Sequence, residues 1–133
     1  MSGVAIIRAL LVANSAVIAA VPASKIMAGV IPLGTALPAI SIAHISGTTR
    51  NTIAMNDAST FCTDRVQVTV LAKTYQQQKV LLALVQAACP NTRGAVGGVA
   101  CDSILDDVCG PDIFDADATI YFQSQDFIVK FNR

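Results

Sequence analysis

The sequence has no tryptophan, and aromatic residues fill only 5% of its 133 positions. Stacking sites for bases or sugar rings need broad aromatic faces, so they have little to build on here. Charge is scarce as well. Lys, Arg, Asp and Glu together make up 14% of the chain, against roughly a quarter in an average soluble domain. Nine basic residues balance nine acidic ones, for a formal net charge of zero, and there is no run of Lys or Arg. With neither a net field nor a basic stretch, direct sequence-specific nucleic-acid binding and attachment to an anionic membrane are not expected.

Catalytic and metal motifs are missing too. No G-x-S-x-G, H-E-x-x-H or P-loop pattern occurs; Gly94-Ala-Val-Gly-Gly98 is glycine-rich but lacks the Lys-Ser/Thr that a phosphate cradle needs, and reads as a flexible turn. The only histidine, His44, lies far in sequence from Cys62, Cys89, Cys101 and Cys109, and no C-x-x-C is present. Zinc is therefore not expected, and buried thiols acting as small hydrophobes fit better. Seven aspartates gather after residue 100, but Asp112, Asp115 and Asp117 are irregularly spaced and lack the central glycine of a calcium loop. They read as turn residues beside Gly and Pro. No enzyme, no cofactor and no metal site is expected.

What the chain does have is apolar material: 53% of its residues are hydrophobic, in a length that suits one domain over residues 1–133. So little charge on so apolar a chain has two readings. Either the surface is simply rich in small side chains, or part of it is covered by copies or partners.

The amino-terminal stretch Met1 to Ala23 is apolar and ends in a segment resembling a secretory cleavage region. No basic residue precedes it, however, and Arg8, Asn14 and Ser15 interrupt it. Ile7, Leu10, Leu11, Val17, Ile18 and Val21 fall largely on another face, as an amphipathic helix requires. The spacing predicts one packed helix from Ser2 or Gly3 to Ala20, ending before Pro22.

From Ile26 the chain crosses a Pro/Gly turn to Pro38, which suits the first residue of a strand. A strand follows from Ala39 to Ser46, with Ile40 and Ile42 on one face and Ser41 and Ala43 on the other. By parity His44 belongs with Ile40 and Ile42, as a hydrogen-bonded core or interface residue. Residues 47–60 have no period and read as a flexible loop. Then comes the clearest alternation, in which Val66, Val68, Val70 and Ala72 form a buried face and Arg65, Gln67, Thr69 and Lys73 a polar one. Thr74 is placed to cap a helix over Tyr75–Ala88, with Gln77 completing a capping box. A strand is expected from Val99 to Leu105, with breaks at Asp106-Asp107 and Gly110-Pro111-Asp112.

The last strand runs from Thr119 to Phe131. Ile120 and Phe122 share one parity while Phe127, Val129 and Phe131 share the other, so a bulge near Gln123–Gln125 is expected to reunite them. The sum is an α+β fold: a mainly antiparallel sheet of about four strands, two helices packed on one face, and the other face wet.

Three stretches carry a resemblance. They are Gly29-Val-Ile-Pro-Leu-Gly-Thr-Ala-Leu-Pro-Ala-Ile-Ser-Ile, Asp64-Arg-Val-Gln-Val-Thr-Val-Leu-Ala-Lys-Thr-Tyr, and Asp115-Ala-Asp-Ala-Thr-Ile-Tyr-Phe-Gln-Ser-Gln-Asp-Phe-Ile-Val-Lys-Phe. Respectively, they are similar to the Pro-Gly turn before a Leu-Pro strand start, the strand leading into the second helix, and the final Asp-Phe strand of a family. That family is the tail-terminator or tail-completion proteins of long-tailed bacteriophages. This chain departs from typical members in its low charge and four cysteines.

The resemblance implies a structural virion protein, made in the host cytoplasm. Its copies form a ring, usually of six, at the head-proximal end of the tail tube. The ring ends tube polymerisation and offers a surface to the head connector or neck protein. A ring requires one patch to bind a different patch on the next copy. On this reading Arg50 and Asn51 in the loop, with Arg65, Gln67 and Thr69 on the wet strand face, supply contacts to neighbouring subunits or to the tail-tube protein. Two alternatives stay open: another head–tail connector or neck protein, and a secreted disulfide-linked binding protein.

Overall fold

Alternation decides the architecture. Along Phe61–Ala72 every second residue from Cys62 onward is buried, and the residues between them are only partly covered. The computed structural model describes residues 3–29, 31–32, 34–50, 60–89, 94–96 and 99–132. In chain order these form α1 (Gly3–Ala13), α2 (Ser15–Ala20), a 3-10 turn (Ala23–Lys25), β1 (Ile26–Ala28), β2 (Ala39–Arg50), β3 (Phe61–Ala72), α3 (Tyr75–Ala88), β4 (Gly94–Val96), β5 (Val99–Cys109), β6 (Ile113–Asp115) and β7 (Ile120–Asn132).

The α+β class is as expected, but the sheet is larger than four strands. Among the described residues it has seven, in the order β1-β2-β3-β7-β5-β4, with β6 also paired to β7. The long strands β2, β3, β7 and β5 are antiparallel neighbours, while β1 joins β2 in parallel. The additional strands β1, β4 and β6 have three residues each, too few to show a period in sequence. β4 occupies most of the expected Gly94–Gly98 turn.

Other boundaries shift for local reasons. The expected single amino-terminal helix is two. Asn14 adopts an extended backbone, and its side-chain oxygen accepts hydrogen bonds from the Ala16 and Val17 amides at 3.0 and 3.2 Å. It thereby caps α2 and ends α1. Among the described residues, three α-helices therefore stand where two were expected. β2 does not stop at Ser46, because Gly47–Arg50, expected in the loop, pair with Phe61–Asp64. Asp106 and Asp107 lie inside β5 instead of ending it.

The expected bulge at Gln123–Gln125 is absent, since β7 pairs with β3 without a shift from Tyr121 to Asn132. The two glutamines stay on the buried face with Phe127, Val129 and Phe131, and Phe122 lies on the opposite one. They remain there because the helix layer gives them hydrogen-bond partners. The register shifts fall in β2 between His44 and Ser46, and at two places in β5.

The helices lie on one face of the sheet, α1 against β1, β2 and β3 and α3 against β3 and β7. Ile6, Ile7 and Leu11 of α1 and Leu81 and Val85 of α3 meet Ile40, Ile42, Val66, Val68, Phe127 and Val129 in one apolar cluster. Thr74 caps α3 as expected, accepting from the Gln77 amide at 3.2 Å. Gln77 answers by accepting from the Lys73 amide, so the returning arm of the box reaches one residue further back than the usual capping geometry. At the far end, the buried Asp64 carboxylate accepts from the Gly3 amide at 3.0 Å and pins the start of α1 to β3.

Cys62, Cys89 and Cys101 are buried, Cys109 is exposed, and none is in a disulfide. Burial pushes the Cys89 thiol up to about 12, with Asp106 adding to the effect. No described helix is long and apolar enough to cross a membrane.

Candidate assembly surface

The sheet face away from the helices is built in rows across β2, β3 and β7. Reading the pairing, one row is Ser41–Thr69–Ser124, the next Ala43–Gln67–Asp126, and the next Ser46–Arg65–Ile128. Small and polar side chains dominate because a strand with one buried face must present the other to water or to a partner. Arg65, Gln67 and Thr69 stand side by side on this face, as the sequence indicated.

The polar groups of Arg65 and Gln67 are already engaged. Arg65 forms ion pairs with Asp107 and, at 3.0 Å, with Asp126. The hydrogen bond to Asp126, with Asp107 nearby, holds the guanidinium above its ordinary value. Gln67 donates to the Ser124 hydroxyl at 3.4 Å. This face is therefore a pre-ordered polar lattice.

The two ends of the face differ. Toward the start of β2, Ile31, Leu71 and Phe122 surround Ser41 and Thr69 in a shallow, largely apolar depression. Toward the end of β2, Arg50 and Lys130 rim a second one with Thr48, Thr63 and Phe61. Arg50 is thus the last residue of a strand, and it shares a pocket with β7. Asn51 lies outside the described residues, as does the rest of 51–59.

His44 is not a core residue. Its ring is half-exposed, and Nε2 lies 3.6 Å from Asp64 Oδ1. The β2 bulge beside it turns Ile45 out to solvent.

Sequence reasoning missed a polar network beneath α3. Gln78 is fully buried, and its amide nitrogen donates to Asp112 at 2.9 Å and to Gln123 at 3.1 Å. Lys79 and the Tyr75 hydroxyl also bind Asp112, at 2.7 and 2.8 Å. Gln123 donates to the Gly110 carbonyl at 2.8 Å, and Gln86 donates to Gln125, also at 2.8 Å. The network ties the Gly110–Asp112 connection between β5 and β6 to the helix layer. Lys79 first, then Tyr75, hold the Asp112 carboxyl below the usual range, and Asp112 in turn raises the Lys79 ammonium. The available signal was parity, because Gln123 and Gln125 continue the Phe127–Phe131 face without interruption.

Among the described residues, no group of three His, Cys, Asp or Glu side chains could hold a metal ion. The arrangement offers, among the described residues, a polar sheet face, open edges and a clamped connection. It defines an α+β domain with one sheet face covered by helices and, among the described residues, the other bare. The same fold occurs in a chain of a solved structure described as the virion of a native gene transfer agent particle, with a TM-score of 0.67 at 11% identity over 96% of this chain and 92% of that one. That likeness is one of fold. No protein-family model and no curated protein sequence matches the chain.

Proposed function

We propose that this protein is a structural component of a phage-like virion, with no catalytic role. Its copies form a ring that caps the head-proximal end of a tail tube, stops tube growth and presents a surface to the head connector. The observation carrying this reading is the shared fold with a virion chain, which spans nearly the whole of both chains. The bare polar sheet face and the low charge fit a subunit covered by neighbours. Arg65, Gln67 and Thr69 on that face, and Arg50 with Asn51 at the end of β2, contact the tube or adjacent copies. A different connector or neck role would use the same fold.

The test is particle assembly with the Arg50→Ala, Asn51→Ala double variant. Tail joining should fall while the thermal melt of the isolated protein stays unchanged. Tubes of normal length and a normal yield of joined particles would remove the strand end from the proposed interface. Removing the protein altogether should give overlong tubes by electron microscopy. Tubes of normal length with unjoined heads would favour the connector role.

A further inference from the structure

The charges of this chain are sorted along the sequence and then across the sheet. Residues 1–100 hold seven basic and two acidic side chains, whereas residues 101–133 hold two basic and seven acidic. These halves are +5 and −5, from 7 − 2 and 2 − 7. The fold places three of the first group at one sheet edge and four of the second at the other, while Arg65 and Lys79 are paired with aspartates of the second group. At the β1–β2 edge stand Arg8, Lys25 and Arg50. At the β5–β6 edge stand Asp102, Asp106, Asp115 and Asp117, all exposed. Arg8 lies along β1 by donating to the Ile26 carbonyl at 3.1 Å.

Among the described residues, both edges also have strand left to pair. β1 covers β2 only at Ile40–Ile42, and β4 covers β5 only at its first three residues, Val99–Cys101. Exposed large hydrophobics collect at the same places. Of seven, Ile45 lies on β2, and Leu105, Val108, Ile113 and Phe114 lie on β5 and β6. An unpaired, partly apolar edge is a template for another strand.

The heights match. Following the pairing Thr49–Cys62–Phe131–Cys101 brings Arg50 and Asp102 to one end of the sheet. The row Ser46–Arg65–Ile128–Leu105 places Ile45 and Leu105 near the middle. The row Ile26–Ile40–Val70–Gln123 sets Lys25 level with Ile113 at the start of β6, two residues from Asp115 at its end. The directions match as well. β2, β3, β7 and β5 alternate, so β2 and β5 run in opposite senses. A rotation about an axis along the strands therefore lays β5 of one copy antiparallel to β2 of the next.

We infer that the basic β1–β2 edge of one copy docks on the acidic β5–β6 edge of the next, Arg50 facing Asp102, Ile45 facing Leu105 and Lys25 facing Asp115. The inference rests on the ring reading above and supplies its subunit contact. Such a contact is heterologous, so it can repeat until a ring closes. The opposed charges reject the reversed pairing of like edges, in which like charges would meet.

The experiment is self-association measured by light scattering and sedimentation, alone and on tail tubes, with Arg50→Asp, Asp102→Arg and the two combined. Each single variant should weaken self-association at least roughly tenfold at low salt, and the combination should restore it. Lys25→Asp with Asp115→Lys provides an independent pair at the other end, should either first variant fail to fold. Association should also weaken as salt rises, because charges at an edge are screened within about 8 Å at physiological ionic strength. A closed ring that survives every single reversal overturns the edge contact and leaves the ring reading standing. A native chain that stays monomeric alone and on tubes overturns both.

Discussion

The two faces of one sheet invite comparison, because the same residues of backbone support both. On β3, Val66, Val68 and Val70 are fully buried under the helices, while Arg65, Gln67 and Thr69 alternate with them on the bare side. The covered face gains its stability from the removal of apolar area from water. The bare face gains order from ion pairs and hydrogen bonds that stay near solvent, where each contributes little to stability. One face therefore holds the subunit together, and the other is free to be specified by what it must touch.

The sharpest way to break the comparison is to truncate one side chain to alanine on each face. Phe127→Ala, in the covered face, should cost about 3–5 kcal/mol of unfolding free energy by denaturant titration. Thr69→Ala, on the bare face, should change stability by less than about 0.5 kcal/mol. A comparable loss at both sites would mean that the bare face is a second core.

Next in size is the joint between the layers. Asp64 accepts from the Gly3 amide inside the protein, so Asp64→Ala leaves a buried donor unpaired. It should cost about 1–3 kcal/mol, and amide exchange at the start of α1 should rise before that of the sheet. A Cβ added at Gly47 would come within 2.6 Å of Asp64 Oδ1, so Gly47→Ala should disturb the same joint from the β2 side.

The smallest effect is electrostatic and appears only in acid or strong base. The folded Asp112 carboxyl is held below its unfolded value by Lys79 and then Tyr75. Its contribution is complete above the unfolded value of about 3.9, and is lost as pH falls through the lower folded value. Lys79 has the opposite sense, since its ammonium is raised by Asp112. Its contribution is complete below about 10.4 and is lost as pH climbs through the raised value. The protection factor of the Gly110 and Asp112 amides, with the intrinsic pH dependence of exchange divided out, should therefore be highest at intermediate pH and fall below about pH 4. In an Asp112→Asn variant the acid limb should flatten. A limb that persists would assign it to another carboxylate.

Much of the covered face was legible in the sequence because burial imposes a period. The alternation at Val66–Ala72 located β3, Thr74 and the apolar stripe located α3, and Pro38 marked the start of β2. Three features escaped, two of them because their cause lies outside their own segment and one, the Asn14 cap, because its local signal is weak. Asn14 splits the first helix through a cap that looked like a mere polar interruption. Gln123 and Gln125 stay buried because Gln78, Lys79 and Gln86 reach them from α3. Gly47–Arg50 are strand because Phe61–Asp64 pair with them. Of the surface residues singled out in advance, Arg65, Gln67 and Thr69 do share a face, but their partners Asp107, Ser124 and Asp126 are distant in sequence.

The sequence by itself determined the class of fold, the two clearest elements, which strand residues turn toward the core and how charge is divided along the chain. Those properties follow from local rules of period, capping and composition, each satisfied within a few neighbours. Only the tertiary structure decided which strands lie beside one another, and so made edges of β2 and β5. It thereby set part of a charge division along the chain at opposite edges of the sheet, because strand order depends on pairings between residues as far apart as Phe61 and Asn132, and no local rule reaches that far.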